Sequence, residues 1–276
     1  MSNVVISKDE YKRLCHLLEA AAGITLGESK HYLVNSRLNR LIQELGFSGY
    51  AELVDRMEDT GAFSLNEKVI DAMTTNETMW FRDIYPYEIL KTKLLPELAN
   101  SAGSRVRIWS SACSSGQEPY SISIAVQEYL VANRGRFPKE IEIVATDISP
   151  SMMSYAKKGI FDNSAMARGL SRERKEKYFK PQENGWEIDS NIKERVSFQM
   201  LNLKSSYSSL GKFDIVFCRN VLIYFSAELK SDILDRIANQ LNPSGYLILG
   251  SSEAPNRYSS RFAMTKTPKG VVYRYI

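Results

Sequence analysis

The stretch Arg105-Val-Arg-Ile-Trp-Ser-Ser-Ala-Cys-Ser-Ser-Gly-Gln-Glu-Pro-Tyr120 decides the fold. Its first six residues read as a short strand. They run into a turn rich in Ser and Gly, and a helix follows over about residues 119–133. The rhythm then repeats. Residues 140–147 read as a second strand, with a helix start at Ser149-Pro150. Residues 196–200 and 213–218 read as a third and a fourth, the latter followed by a helix near residues 227–241. Pro243-Ser-Gly is a turn before a fifth strand at residues 246–250, and residues 270–275 close the chain as a last strand. Strands alternating with helices imply an α/β fold: a parallel sheet covered by helices on both faces. The segment 178–194 interrupts the pattern. Trp186 and Ile188 stand there amid Asn-Gly and Asp-Ser turn signals, so a small β insertion is expected at about 178–195.

Upstream, residues 1–90 read as helices and carry no strand signal. Ser7 with Glu10 has capping-box spacing, and Tyr11, Leu14, Leu17, Leu18 and Ala21 follow at helical intervals until Gly23. A second helix is expected over about residues 29–45, with Val34, Leu38, Leu41, Ile42 and Leu45 on one face. Lys30, Arg37 and Arg40 fall beside that face as a basic stripe. Two shorter helices follow Ser48 and Ser64. The expected division is an all-helical domain with its linker at 1–90 and an α/β domain at 91–276.

Composition narrows the function classes. The chain has 276 residues, 43% apolar and 25% charged, with 36 basic against 32 acidic side chains. A net charge of +4 does not announce nucleic acid. Cys15, Cys113 and Cys218 form no CxxC pair, which argues against a disulfide framework or a structural zinc site. With only His16 and His31, a histidine metal centre or a Ser-His-Asp triad elsewhere in the chain is nearly excluded. No apolar run approaches the ~20 residues that span a bilayer, and residues 1–10 hold no signal-peptide core. A cytosolic protein is expected.

Open α/β sheets bind ligands at the carboxyl ends of their strands. The turn after the first strand has one glycine, Gly116, with Ala112 and Ser114 as small neighbours. It lacks the G-x-G-x-x-G pyrophosphate cradle, and Glu118 would repel a phosphate at the helix start. Either Glu118 only complements the helix dipole, or the ligand is cationic or neutral. Asp147 ends the second strand, where an acidic residue commonly takes ribose hydroxyls. It lies 31 residues past Gly116, whereas dinucleotide sites expect about 20, and alone it could equally cap a helix. In combination these features suggest an adenosine carried without phosphates, which S-adenosylmethionine satisfies.

Five segments in order add to this reading: Asn76-Glu-Thr-Met-Trp-Phe-Arg82; Ala112-Cys-Ser-Ser-Gly-Gln-Glu-Pro-Tyr-Ser121; Ala145-Thr-Asp-Ile-Ser149; Cys218-Arg-Asn-Val-Leu-Ile-Tyr-Phe225; and Leu241-Asn-Pro-Ser-Gly245 with Ser251-Ser-Glu253. The set resembles the chemotaxis receptor methyltransferase family, CheR, over nearly the whole chain. The resemblance implies a Rossmann-like methyltransferase sheet, mostly parallel with a final antiparallel strand. It implies a preceding all-α receptor-recognition domain and a small β insertion. The activity implied is methyl transfer from S-adenosylmethionine to chemoreceptor glutamates, giving methyl esters and S-adenosylhomocysteine without a metal. By motif, Asn76, Thr78 and Arg82 reach the cofactor from the helical side. Glu118 holds its methionine amine, Asp147 its ribose, and Asn202 and Leu203 frame the adenine. Arg219 and Asn220 sit beside it, with Tyr224 one turn on. Gln117 stands where the family often has an acidic residue, and the insertion looks short for docking a receptor tail peptide. The implied partner is the cytoplasmic part of a chemoreceptor, bound by a cytoplasmic monomer that contacts neither nucleic acid nor the bilayer.

The chemistry agrees with the histidine count. A glutamate carboxylate, with an ordinary pKa of about 4.3, is already ionised at pH 7 and needs no general base. What it needs is placement. Arg82 and Tyr224 are expected to position it, Arg82 holding one oxygen and leaving the other free. Tyr224 could instead be a core tyrosine bonded to backbone. Trp80 and Phe81 are expected to pack between the two domains, and Cys113 and Cys218 to be small buried residues. Lys30, Arg37 and Arg40 are either a solvated face or a contact for acidic receptor helices. A methyltransferase of RNA or of a small molecule, and a non-catalytic cofactor sensor, are the competing readings.

Overall fold

The capping box at Ser7 is present in the computed structural model, which describes residues 4–101 and 103–276. The Glu10 amide donates to Ser7 Oγ at 3.3 Å and the Ser7 amide to Glu10 Oε2 at 2.7 Å. This starts α1 (Lys8–Ala22). α2 (His31–Leu45), α3 (Tyr50–Glu58) and α4 (Phe63–Met73) follow. Their apolar stripes meet in one core, where Leu14, Leu18, Val34, Leu38, Leu53, Val54 and Val69 are fully buried. Lys30 precedes α2 as its N-cap residue, so it leaves the stripe on which Arg37 and Arg40 lie.

After residues 74–84 comes a helical run that the sequence pattern does not mark: α5 (Tyr85–Ile89), a π-helical turn (Leu90–Leu94) and α6 (Leu95–Ala99). Next are β1 (Arg105–Ser110), α7 (Gln117–Ala132), β2 (Glu140–Asp147) and α8 (Pro150–Lys158). The insertion holds β3 (Ile160–Phe161), α9 (Asn163–Met166), α10 (Arg172–Tyr178), β4 (Phe179–Gln182) and β5 (Gly185–Ile188). α11 (Ser190–Lys193), β6 (Val196–Met200), β7 (Phe213–Cys218), α12 (Ala227–Gln240), β8 (Leu241–Leu249), β9 (Phe262–Thr267) and β10 (Gly270–Tyr275) complete the chain.

The large sheet has the order β6-β2-β1-β7-β8-β10-β9. The first five strands are parallel, and β10 runs antiparallel to both β8 and β9. This is a Rossmann-like sheet, mostly parallel with an antiparallel end, behind an all-α domain. Strand alternation sorts the apolar residues onto two faces. Ile108, Ile143, Ile215, Phe217 and Ile248 join one core with α7. Trp109, Val144, Val216, Cys218 and Leu247 join the other with α12. Strands buried on both faces read as near-continuous apolar runs, which is why the sequence placed them. β9 was not expected, because Phe262-Ala-Met-Thr-Lys-Thr267 is an edge strand and only Phe262 is buried.

The insertion is a three-stranded antiparallel sheet, β3-β5-β4. It opens at Ile160 rather than near 178, because a two-residue strand carries no readable period. The expected domain division at 90 falls inside the helical run 85–99. Trp80, Phe81, Tyr87, Ile89 and Leu90 pack in the sheet's core, apart from the helical domain's cluster. Trp80 meets the rings of Phe161 and Phe179 at 4.8 and 5.1 Å. The expected bridge of Trp80 and Phe81 between the two domains is therefore corrected. They tie the linker to the insertion and the sheet.

Two polar fastenings bring the helical domain over the carboxyl edge of the sheet. A helix leaves its last carbonyls without partners, and here α1 has them capped from across the cleft. Asn202 Nδ2 donates to Ala21 O and Lys204 Nζ to Glu19 O, both at 2.8 Å. On the other side, the Asp71 carboxylate accepts from the hydroxyls of Ser149 and Ser151.

Candidate active site

Strand order reverses at β1, whose neighbours are β2 and β7, so loops diverge from its carboxyl end and open a crevice. The helical domain roofs it. The result is a cavity of about 460 Å³, inside the usual size range of small-molecule sites. Lys30 and Arg37 line it from the helical domain, Asn76, Thr78 and Arg82 from the linker, and Glu118, Asp147, Asn202, Leu203, Arg219, Asn220 and Tyr224 from the sheet loops. The structure therefore brings together every residue proposed from sequence except Arg40.

Asp147 ends β2 with its carboxylate accepting from the amides of Ser114 at 2.7 Å and Ser149 at 3.0 Å. Burial pushes its pKa up, and those amides offset part of the rise. Ser114 is held at φ 48°, and its hydroxyl donates to Asn76 O at 3.0 Å. That bond docks the linker onto the first turn. Gly116 takes φ 96°, and a Cβ there would approach Ala156 Cβ to 3.0 Å. The single glycine thus serves helix packing, and no second or third is needed where no pyrophosphate is cradled.

Glu118 stands in the first turn of α7. Its Oε1 accepts from Ser110 Oγ at 2.8 Å and its Oε2 from Arg219 Nη1 at 3.0 Å. Arg219 has a side chain only 1% exposed. Its Nη2 donates to Asp83 Oδ2 at 2.7 Å and to Arg82 O at 2.9 Å. Burial works against the Arg219 charge, and the carboxylates of Glu118 and Asp83 more than offset it. Arg219 thus lines the cleft with its guanidinium turned to Glu118, Asp83 and the Arg82 backbone, which it holds in place.

Asn202 also differs. Its side-chain amide joins α1 through Ala21 O and accepts from the Lys204 amide at 2.9 Å, so little of it is left for a purine. Arg82 Nη1 has one weak partner, Glu77 O at 3.2 Å. Tyr224 is half-buried in a 3₁₀ turn on the cavity wall, and its carbonyl accepts from the Thr25 amide at 3.0 Å.

The basic stripe divides. Arg37 Nη1 donates to Met73 O at 2.6 Å and Thr74 O at 2.9 Å, and Nη2 to Thr75 Oγ1 at 3.1 Å. It caps the end of α4 and fixes the linker, a structural role that neither expected reading gave it. Arg40 pairs with Glu44 at 2.6 Å and is 88% exposed. Lys30 stays at the cavity wall.

Sequence reasoning assigned no role to three supporting groups. Glu253 accepts from the amides of Asn220, Val221, Leu222 and Gly250 at 2.7, 3.1, 2.9 and 2.9 Å. It pins the loop after β7 to the end of β8. Arg174 stacks on Phe81 at 3.7 Å and donates to both Glu128 oxygens. Burial alone would raise the Glu128 carboxyl, yet the bonds from Arg174 and Lys91 hold it below its ordinary value. The third is Asp83. Only the quoted motif Ser251-Ser-Glu253 hinted at any of them. Cys113 and Cys218 are buried, and burial pushes both thiols up, so neither is a nucleophile. Among the described residues no cluster of His, Cys, Asp or Glu could hold a metal ion, and no helix is long and apolar enough to cross a membrane.

The family profile described as "CheR methyltransferase, all-alpha domain" matches residues 9–74, and "CheR methyltransferase, SAM binding domain" matches residues 76–271. The chain is 51% identical to chemotaxis protein methyltransferase Cher2 of Pseudomonas putida, over 96% of this chain and 97% of that one. It is 54% identical to chemotaxis protein methyltransferase 1 of Pseudomonas aeruginosa, over 93% and 94%. It is 46% identical to chemotaxis protein methyltransferase 1 of Vibrio cholerae, over 99% of each.

Proposed function

The chain belongs to the CheR methyltransferase family, and on that premise we propose that the interdomain cleft holds S-adenosylmethionine while Arg82 and Tyr224 orient the acceptor. The enzyme methylates glutamate side chains of chemoreceptors. The observation that carries the site assignment is the chemistry of the cavity wall. Two buried carboxylates, Glu118 and Asp147, face one cleft beside a small-residue turn without a phosphate cradle. That acceptor set suits a cationic adenosine derivative and disfavours a phosphate-bearing nucleotide.

Bound there, the cofactor supplies an electrophilic methyl group and is left as S-adenosylhomocysteine. Glu118 takes its amine, with Arg219 behind Glu118 holding the carboxylate in place. Asp147 accepts the ribose hydroxyls. Leu203 and the Asn202 main chain border the adenine, while Asn76, Thr78 and Asn220 close the remaining wall. Arg82 is only weakly held, which suits a side chain that must engage an incoming carboxylate. It takes one acceptor oxygen, and Tyr224 steadies the approach. Placement of this kind is worth roughly 7–11 kcal/mol in well-oriented reactions. No residue need take a proton.

We place the protein in the cytoplasm as a monomer, acting on the receptor's cytoplasmic part through its helical domain, with Lys30 and Arg40 as the basic positions left for that contact. No metal and no nucleic acid enter this reading. The test is Arg82→Ala and Arg82→Lys against a chemoreceptor cytoplasmic fragment. The expected result is loss of kcat by about 100-fold or more in Arg82→Ala, with the protein still folded and only partial recovery in Arg82→Lys. Near-normal turnover in Arg82→Ala removes the role.

A further inference from the structure

The β insertion reaches the linker at Trp80. The Trp80 amide donates to Arg168 O at 3.1 Å, which supplies the partner that a buried amide outside regular structure needs. Its fully buried ring meets Phe161 of β3 and Phe179 of β4. Gly169 packs on the Trp80 carbonyl. It holds φ 83°, and a Cβ there would run into Trp80 O. The join between α9 and α10 thus presses its backbone onto the linker so closely that only glycine fits.

Arg168 makes a second contact. Its Nη2 pairs with the Glu77 carboxylate, the two side chains being 47% and 58% exposed. The bond holds the Glu77 carboxyl below its ordinary value. An exposed pair typically adds less than about 1 kcal/mol to stability, so its effect lies in placement. Glu77 is also the residue whose carbonyl accepts from Arg82 Nη1 at 3.2 Å. Elsewhere the linker is fixed at Asn76 O by Ser114 Oγ and at the Phe81 amide by Ser121 Oγ, both at 3.0 Å. Glu77, Thr78 and Met79 run between these points and line the cavity. The insertion holds that span at both ends, at Glu77 and at Trp80.

We propose that Arg168 and Gly169 are positioning residues for methyl transfer. Their clamp on Glu77 and Trp80 sets the Glu77 carbonyl against Arg82 and keeps Thr78 on the cavity wall. The insertion thereby acts on the methyl-transfer step through the linker. This rests on Arg82 orienting the acceptor.

The experiment measures steady-state methylation of a chemoreceptor cytoplasmic fragment, with kcat read at saturating S-adenosylmethionine and thermal melts alongside. Arg168→Ala is expected to lower kcat about tenfold, with the KM for the fragment within about twofold and Tm unchanged. Arg168→Lys keeps the charge and should restore kcat to within about threefold. Glu77→Gln should lower kcat as Arg168→Ala does, and the double variant no further, because the two act as one pair. Gly169→Ala should cost more, up to about 100-fold, since about 1 Å of misplacement can cost that much. Arg172→Ala breaks an exposed pair with Glu176 on the same insertion and should change nothing. An unchanged kcat in Arg168→Ala overturns the proposal. So does a raised fragment KM at unchanged kcat, which marks a docking role. A fall in Tm that accounts for the lost turnover, with no recovery in Arg168→Lys, overturns it as well and marks a folding role. Normal turnover in Arg82→Ala beside reduced turnover in Arg168→Ala refutes the role of Arg82 instead.

Discussion

Replacing Glu253 by Gln changes one oxygen for an NH₂ group and removes a charge. In the structure each carboxylate oxygen serves two amides: Oε2 takes Asn220 and Gly250, and Oε1 takes Val221 and Leu222. Glutamine keeps one oxygen and so two of the four bonds. The other two N–H groups then face an amide nitrogen that cannot accept. An unmet buried donor costs about 1–3 kcal/mol, so the gross cost is about 2–6 kcal/mol. The site has little room to adjust, since a Cβ on Gly250 would lie 2.7 Å from Oε2. Partial access to water lowers the figure, and a loss of about 3 kcal/mol is expected. At about 2–4 °C per kcal/mol for domains of this size, Tm should fall roughly 6–12 °C. Asn220 sits at φ 57° and Tyr224 follows in the same loop, so turnover should fall as well. Urea unfolding followed by tryptophan fluorescence reads the stability change, and methyl transfer at a temperature where the variant is folded reads the second effect. A stability loss below about 1 kcal/mol would refute the reasoning that this carboxylate organises the loop.

Glu118→Gln should weaken S-adenosylmethionine binding by about 10–100-fold, the worth of a charged hydrogen bond at about 1.5–3 kcal/mol; unchanged calorimetric affinity would contradict it. The raised pKa of Asp147 gives a pH test. The folded protein holds that proton at a higher pH than the unfolded chain, so ionisation of Asp147 opposes folding as pH rises through the window between the two values. Cofactor binding through the ionised carboxylate strengthens over the same window. Affinity should therefore decline on acidification before the ordinary aspartate value of about 3.9 is reached, and a flat profile down to that pH would remove the ribose role. Arg37→Ala leaves the last carbonyls of α4 without a donor and should lower stability by about 1–3 kcal/mol. Arg40→Glu should leave the melt unchanged and raise the KM for the receptor fragment; equal melts for the two variants would refute their division of labour.

What the sequence disclosed follows from where each signal resides. β1, β2 and β7 are buried on both faces over their carboxyl halves, so apolar residues run together there, and their bounds match the reading from the residues. Ser7 and Ser149 start helices through bonds to residues three positions on, and such local chemistry is visible in a linear pattern. β3 is two residues long and pairs with a strand some 25 residues later, so no local period marks it. The cavity lining was legible because motifs name the loops at the strand ends. The hydrogen-bond economy was not. Arg37 looks like a surface cation on a helical wheel, and only the fold shows that the end of α4 lies under its guanidinium. Arg219 looks like a ligand contact because its loop faces the cleft, yet its side chain turns inward to Glu118 and Asp83. Which of two directions a side chain takes depends on partners over 100 residues away, and spacing carries no such information.

The most direct measurement supplies S-adenosylmethionine carrying a labelled methyl group to the enzyme and a chemoreceptor cytoplasmic fragment, then treats the product with mild alkali. Label that joins the fragment at glutamate positions and is released by base as methanol is the result expected of a glutamate ester. Base-stable label, or no transfer by an enzyme shown to bind the cofactor, would contradict the account.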